Sequence, residues 1–236
     1  MARLMFEDVE ATYNPVVGCC HSCVYCWARK LALTRLSTLW FYRGFKPNLV
    51  EERLRQPPPK GLVFVCDMGD LFGSWVPAKW ILRVLEHLHK HRDGRRYLFL
   101  TKNPRRYLQF LEVFDPELDI LGATIETDLS YSSFNTRISD APDPPERINV
   151  MAELRERWSG GLFVSIEPIL KFTGRFAEAL KAVKPDFVYV GYDNHGCHLP
   201  EPTLKETLKL IKKLEEFTVV KRKTIRKAWF EVKVHG

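Results

Sequence analysis

The sequence predicts an α/β fold: a parallel sheet of six or seven short strands with helices on its outer side. Three observations predict it. Short, almost continuously apolar runs rich in β-branched and aromatic residues recur along the chain, as expected of strands buried on both faces. Stretches with apolar residues at helical spacing lie between them. The two alternate through most of the chain, which is the pattern of right-handed βαβ units.

Residues 11–17 read as a first strand that delivers a cysteine-rich loop, and 26–33 as the helix that follows it. Residues 45–60, "FKPNLVEERLRQPPPK", contain a short helical piece and a proline stop, and read as a connector. Strands follow at 62–66 "LVFVC", 97–100 "YLFL", 120–125 "ILGATI", 162–166 "LFVSI", 187–190 "FVYV" and 218–220. The intervening helical stripes are Trp80, Ile81, Val84, Leu85 and Leu88; Tyr107, Leu108, Leu111 and Phe114; Phe176, Ala179, Leu180 and Val183; and Leu204, Leu208, Ile211 and Leu214. Helices start near Pro77, Pro104 and Pro202, because a first turn does not need the N–H that proline lacks. Residues 127–146, "TDLSYSSFNTRISDAPDPPE", form a polar loop of the length seen in lids and binding segments. Six or seven βα units fall short of the eight that close a barrel. The sheet is then either open and doubly wound or an incomplete, TIM-like (βα)6–7 barrel. Both place function at the C-terminal ends of the strands.

At 236 residues and 45% hydrophobic content, the chain is expected to form one domain spanning 1–236. The start, "MARLMFEDVEATYNP", has charges where a signal peptide needs an apolar run, and no stretch is long enough for a membrane span. A soluble, cytoplasmic protein is expected. A reducing compartment disfavours disulfides, so clustered cysteines point to metal binding or catalysis. The net charge is +7, and residues 221–236 hold six Lys/Arg against one Glu. This basic C-terminal segment, beginning at about 218, is either a solvated final element, a nucleic-acid contact or a dock for an acidic partner.

Four of the six cysteines fall within "GCCHSCVYCW", residues 18–27. Cys66 closes an apolar run and reads as a small core residue, while Cys197 lies in a polar loop. The cluster admits three readings. A structural zinc site needs four ligands and usually takes them from two knuckles, and the sequence has no second CxxC, although Cys20, His21, Cys23 and Cys26 allow a cramped tetrahedron. A redox CxxC at Cys23 and Cys26 leaves Cys19 unexplained. Cys19, Cys23 and Cys26 as a CxxxCxxC triad would hold a [4Fe–4S] cluster with three thiolates and leave one iron open. A second group, His87 and His91, has the i,i+4 spacing of zinc ligands, but it falls late in a surface helix, where a solvated positive end is the simpler account.

Polar residues gather where the strands end: Asp67, Gly69 and Asp70; Thr101 and Lys102; Glu126; Ser165 and Glu167; and Gly191, Asp193, Asn194 and His195. CxxxCxxC with Tyr25 just before the last cysteine resembles the signature of radical S-adenosylmethionine (radical SAM) enzymes. The segments "NPVVGC", "DMGDLFGSWVP", "LFLTKNPRR", "LGATIET" and "FVSIEPIL" are similar in order and spacing to the phage Gp37/Gp68-like radical SAM group, over residues 13–191. The resemblance implies an incomplete barrel, one [4Fe–4S] cluster on Cys19, Cys23 and Cys26, and SAM chelating the fourth iron. It places the Tyr25 backbone at the adenine and Gly69 and Asp70 at the position that holds the SAM amino group, with Asp70 a shorter acid than the family's glutamate. Thr101 joins this SAM-binding set, Glu126 takes the ribose position, and Ser165 or Glu167 lies near the methionyl or adenosyl part.

The implied activity is reductive cleavage of SAM to a 5′-deoxyadenosyl radical that abstracts hydrogen from a substrate. Glu167 and Asp193 are alternatively catalytic residues acting on that substrate. A ferredoxin or flavodoxin would supply the electron, and the open side of an incomplete barrel suits a nucleic-acid or protein substrate. The competing class is a non-catalytic, zinc-stabilised nucleic-acid-binding protein.

Overall fold

The computed structural model describes residues 6–232. In chain order its strands and α-helices are β1 (Ala11–Tyr13), β2 (Val16–Val17), α1 (Trp27–Leu33), β3 (Asn48–Leu49), β4 (Gly61–Val65), α2 (Ala78–His89), β5 (Arg95–Thr101), β6 (Asp119–Thr124), α3 (Pro144–Arg157), β7 (Gly161–Ile166), α4 (Phe176–Val183), β8 (Phe187–Val190), α5 (Leu204–Leu214) and β9 (Val219–Arg222). Seven strands form one sheet in the order β1-β4-β5-β6-β7-β8-β9, every neighbouring pair parallel. β1 and β9 are edges and do not pair with each other, so the sheet is not closed. β2 and β3 make a separate antiparallel ribbon. Among the described residues, no helix is long and apolar enough to cross a membrane.

Strand alternation sorts the apolar residues into two layers. Val63, Val65, Phe99, Leu121, Leu162, Val164, Val188 and Val190 join the helix residues Ile81, Leu85, Met151, Leu154, Leu180 and Ile211 in the main core. The alternate residues Phe64, Leu98, Ile120, Phe163 and Tyr189 form a second cluster on the other face, together with Phe6 and Val9 from the N-terminal segment. The Phe6 ring lies 5.3 Å from that of Phe64 in β4 and 4.1 Å from that of Tyr189 in β8. Four strand intervals separate β4 from β8, roughly 19 Å across a flat sheet. One ring touching both therefore requires the sheet to curl around it, and Phe6 plugs the concave face of an incomplete barrel. Beyond the plug, toward the C-terminal ends of β6, β7 and β8, the inward positions become small: Gly122, Thr124, Ser165 and Gly191. A Cβ on Gly122 would stand 2.1 Å from the Phe163 ring.

The six strands expected from apolar runs are present, as are the helices at α1, α2, α4 and α5. Three expectations need correction. Residues 11–17 are two strands in two sheets, because the chain turns at Asn14 and Pro15. The stripe at 107–114 is a 3-10 helix, Pro104–Gln109, followed by turns, since i,i+3 apolar spacing serves a 3-10 turn as well as an α-helical one. The helix α3 was not anticipated; Pro144 and Pro145 occupy its first turn, where they are tolerated. Of the histidine run, His89 Nε2 lies 2.8 Å from Oδ2 of buried Asp119. His87 and His91 instead bond to the backbone carbonyls of Gln56 and His87.

Phe6→Ala opens a cavity beneath the rim and should destabilise the fold by about 3–5 kcal/mol. Urea unfolding would show this as a lower midpoint at an unchanged slope; an unaltered midpoint would mean that the concave face is not plugged by this ring.

Candidate functional site

The cysteine loop leaves β2 and passes directly over the end of β4. Gly18 and Gly69 form an isolated bridge there. A Cβ on Gly69 would lie 2.9 Å from the Gly18 carbonyl oxygen, and one on Gly18, which has φ +84°, would lie 2.1 Å from that of Lys46. The two glycines are what allow these backbones to cross. Cys19, Cys23 and Cys26 are free thiols in this loop, with Cys23 buried and the other two half-buried. The His21 amide donates to Cys19 Sγ at 3.5 Å and the Arg29 amide to Cys26 Sγ at 3.3 Å. Cys23 Sγ lies 3.1 Å from Ser139 Oγ. Cys20 is exposed, and Cys66 is buried with its thiol pushed up to about 12 by desolvation. Cys197 packs beside Tyr25, and its Sγ donates to the Val24 carbonyl at 3.8 Å.

Asp70 fastens this loop to the sheet. Its Oδ1 accepts from the Phe72 amide at 3.0 Å and Thr101 Oγ1 at 2.7 Å; its Oδ2 faces His21 Nε2 at 2.9 Å and accepts from the Lys102 amide at 3.0 Å. Burial pushes the carboxyl up, but the bonds and charge from His21, with those from Lys102 and Thr101, outweigh it and hold Asp70 below its ordinary range. His21, which spacing alone makes a passenger of the loop, is therefore one of its anchors. It is buried, with its ring 4.6 Å from that of Trp75.

Glu126, at the end of β6, is completely buried. Its Oε1 accepts from Tyr25 Oη, Lys102 Nζ and, at 3.0 Å, Tyr131 Oη, while Oε2 lies 3.0 Å from Arg147. Lys102 also donates to Tyr25 Oη at 2.7 Å, and Arg147 to Tyr131 Oη at 2.5 Å. Desolvation alone would raise the Glu126 carboxyl. The Arg147 and Lys102 charges reverse this and hold it far below the usual range. Lys102 thus joins both acids, through its amide to Asp70 and through its ammonium to Glu126. Of the network, sequence reasoning found Glu126 and the strand-end position of Lys102 but missed Arg147, Tyr131 and Ser139. Arg147 had a legible signal: it falls on the buried stripe Pro144, Arg147, Ile148, Met151 and Leu154 of α3.

The remaining strand-end residues divide. Ser165 is fully buried, and its Oγ has no hydrogen-bond partner among the described residues. Glu167 pairs with Lys223, and burial nevertheless leaves its carboxyl raised. Asp193 is turned onto its own loop, accepting from the His195 and Cys197 amides at 3.1 and 2.7 Å. The polar loop at 127–146 is docked on the cysteine loop: the Val24 amide donates to the Ile138 carbonyl at 3.0 Å and the Asp140 amide to the His21 carbonyl at 2.7 Å. The basic segment is largely neutralised within the fold, through Lys221–Asp8, Arg222–Glu215, Lys223–Glu167 and Arg226–Glu201.

The donor set suits an iron–sulfur cluster. All three thiols are free, two already accept backbone N–H bonds, and desolvation raises Cys19 and Cys26. Such thiols are neutral until a bound cation deprotonates them. A single zinc at 2.3 Å from each sulfur would need the sulfurs within about 4 Å of one another. Among the described residues, no group of three or more His, Cys, Asp or Glu side chains is arranged to hold a metal ion.

Arg147→Met leaves buried Glu126 with Lys102 as its one remaining cation and should cost about 3 kcal/mol, read from the denaturation midpoint. The folded-state pKa of Glu126 lies below its unfolded value, so its contribution is complete above about pH 4.3 and is lost as pH falls toward the folded value. Glu126→Gln should therefore flatten the loss of stability below about pH 4; an acid limb identical to that of the unaltered protein would contradict this ion network.

No curated protein matches the chain in sequence. Among solved structures, it is similar to a soluble mutant of the membrane-associated (S)-mandelate dehydrogenase from Pseudomonas putida, with 14% identity and a TM-score of 0.38. That alignment covers 92% of this chain and 60% of the dehydrogenase chain, so this chain spans less than two thirds of the length of that relative. The family described as "Protein of unknown function (DUF5131)" matches residues 5–193, from the N-terminal segment through the cysteine loop to Asp193. That match takes in the cysteine loop, Asp70, Glu126, Arg147 and Glu167, and the chain belongs to the DUF5131 family.

Proposed function

We propose that this chain is a radical SAM enzyme with one [4Fe–4S] cluster. The observation that carries the reading is the loop itself: three free thiols at CxxxCxxC spacing, fixed over the C-terminal strand ends of an incomplete parallel barrel by two buried carboxylates. On this reading Cys19, Cys23 and Cys26 hold the cluster. Tyr25, Gly69, Asp70, Thr101, Glu126, Ser165 and Glu167 belong to the wall that receives SAM. When bound, the cluster and SAM supply one-electron cleavage of SAM and, through it, abstraction of hydrogen from a substrate.

The chain's own residues position and shield. Asp70 and His21 hold the loop down on β4, and the Tyr25–Glu126–Lys102 contacts hold it on β5 and β6. Residues 138–140 cover its outer edge and limit solvent at the thiols. All four Asp70 acceptor directions are filled, so Asp70 takes a SAM amino group only by giving up a bond. Ser165 has a buried hydroxyl still to satisfy and is the better donor or acceptor for a ligand. Of the two candidate catalytic residues, Glu167 is the more suitable, because its raised carboxyl lies against Gly191 with only Lys223 in an ion pair to it among the described residues, whereas both Asp193 oxygens are held by its loop.

After anaerobic reconstitution with iron and sulfide, the full chain should be brown, carry equal iron and sulfide, and release 5′-deoxyadenosine from SAM under reduction. Cys19→Ala, Cys23→Ala and Cys26→Ala should each lose the iron, the sulfide and the release. Cys20→Ala should retain all three. A colourless protein that keeps one zinc and takes up no iron would contradict the reading.

A further inference from the structure

We propose that the surface formed by α1 and the 3-10 segment after it, Trp40–Phe45, binds single-stranded nucleic acid. Residues 11–50 contain five Lys/Arg and no Asp or Glu. Lys30, Arg35, Arg43 and Lys46 are exposed and have no acidic partner among the described residues. The C-terminal segment differs in that four of its cations are paired within the fold. Among the described residues, the tail therefore leaves fewer of its cations unpaired than the region beside the cysteine loop.

Trp40 lies between Arg35 and Arg43 in the sequence, with 59% of its surface exposed. It is held edge-on by Phe41, with ring centroids 5.5 Å apart, and Phe41 is held in turn by the Arg53 guanidinium 4.8 Å above its ring. Tyr42 and Phe45 anchor the segment in a buried cluster with Ala28 and Ala32 of α1. The result is an exposed indole on a packed segment that also carries unpaired cations. Single-stranded nucleic acids are bound by that combination, bases stacking on the ring and phosphates meeting the cations. Reading a duplex needs an element that enters a groove, and the seven-residue α1 is packed on this segment through Ala28 and Ala32. An acidic protein would use the cations but has no need of an exposed indole among them.

The patch and the cysteine loop form one structural unit. The Cys19 amide donates to the Phe45 carbonyl at 3.2 Å, and Arg29 donates to Ser22 Oγ at 3.3 Å. A strand bound here would lie beside the thiols. That the strand is the substrate rests on the radical SAM reading; the binding itself does not.

The test is fluorescence anisotropy of the full chain, before and after reconstitution with iron and sulfide, using a labelled mixed-sequence single-stranded RNA or DNA of about 12 nucleotides. Four phosphate contacts predict a slope of about −3 in log affinity against log salt. Arg35→Ala with Arg43→Ala should make the slope shallower by about 1.4, and Trp40→Ala should weaken binding roughly tenfold at unchanged slope. Lys209→Ala with Lys212→Ala on α5 removes the same charge elsewhere and should change neither. Absence of binding, equal loss in the α5 variant, duplex bound as tightly as single strand, or the same variants losing an acidic flavodoxin in place of the oligonucleotide would overturn the proposal. Oligonucleotide binding without iron uptake would remove only the radical SAM reading, and iron uptake without oligonucleotide binding would remove only this site.

Discussion

The geometry of the strand ends depends on one buried carboxylate. Asp70 accepts four hydrogen bonds from three parts of the chain: His21 in the cysteine loop, Phe72 just beyond β4, and Thr101 and Lys102 at the end of β5. A carboxylate removed from water is costly unless its acceptor sites are filled, and here they are filled by groups that must be brought together for the purpose. The same condition recurs one strand further along, where Glu126 is kept ionised by Lys102 and Arg147 and takes up the Tyr25 hydroxyl. Lys102 serves both acids, so displacement of the loop would disturb two buried charges at once. This gives a physical reason for a loop with little secondary structure of its own to keep three thiols in one place.

The sheet and most of its helices were legible in the sequence, because strands buried on both faces leave continuous apolar runs such as "LVFVC" and "LFVSI". What was not legible depended on long-range contacts. Phe6 looks like any residue of a polar N-terminal stretch, yet it meets rings from β4, β7 and β8. His21 appears incidental by cysteine spacing, and only folding brings it to Asp70, 49 positions away. The site residues named from strand ends are gathered on one rim, but Asp193 turns back into its loop, and no local pattern announced that. Arg147 was readable in principle, as a cation on the buried face of an otherwise apolar stripe.

Charge shows a similar division between composition and structure. The basic tail stands out in the sequence because six cations crowd a short segment, but β9 and the residues after it pair four of them, Lys221, Arg222, Lys223 and Arg226, with Asp8, Glu215, Glu167 and Glu201. The region around α1 is less conspicuous, with its cations spread among apolar residues. It lacks any acid over forty positions, and after folding its charges remain available. For partner binding, the quantity that matters is charge left unpaired at the surface rather than charge counted along the chain.

The central claim is that Cys19, Cys23 and Cys26 hold a cluster with one iron open to SAM. Electron paramagnetic resonance of the reconstituted, reduced full chain, recorded with and without SAM, tests it most directly. The account predicts a cluster signal that shifts when SAM is added and that is absent in Cys23→Ala. A cluster signal indifferent to SAM, or no cluster signal from an iron-loaded chain, would contradict it.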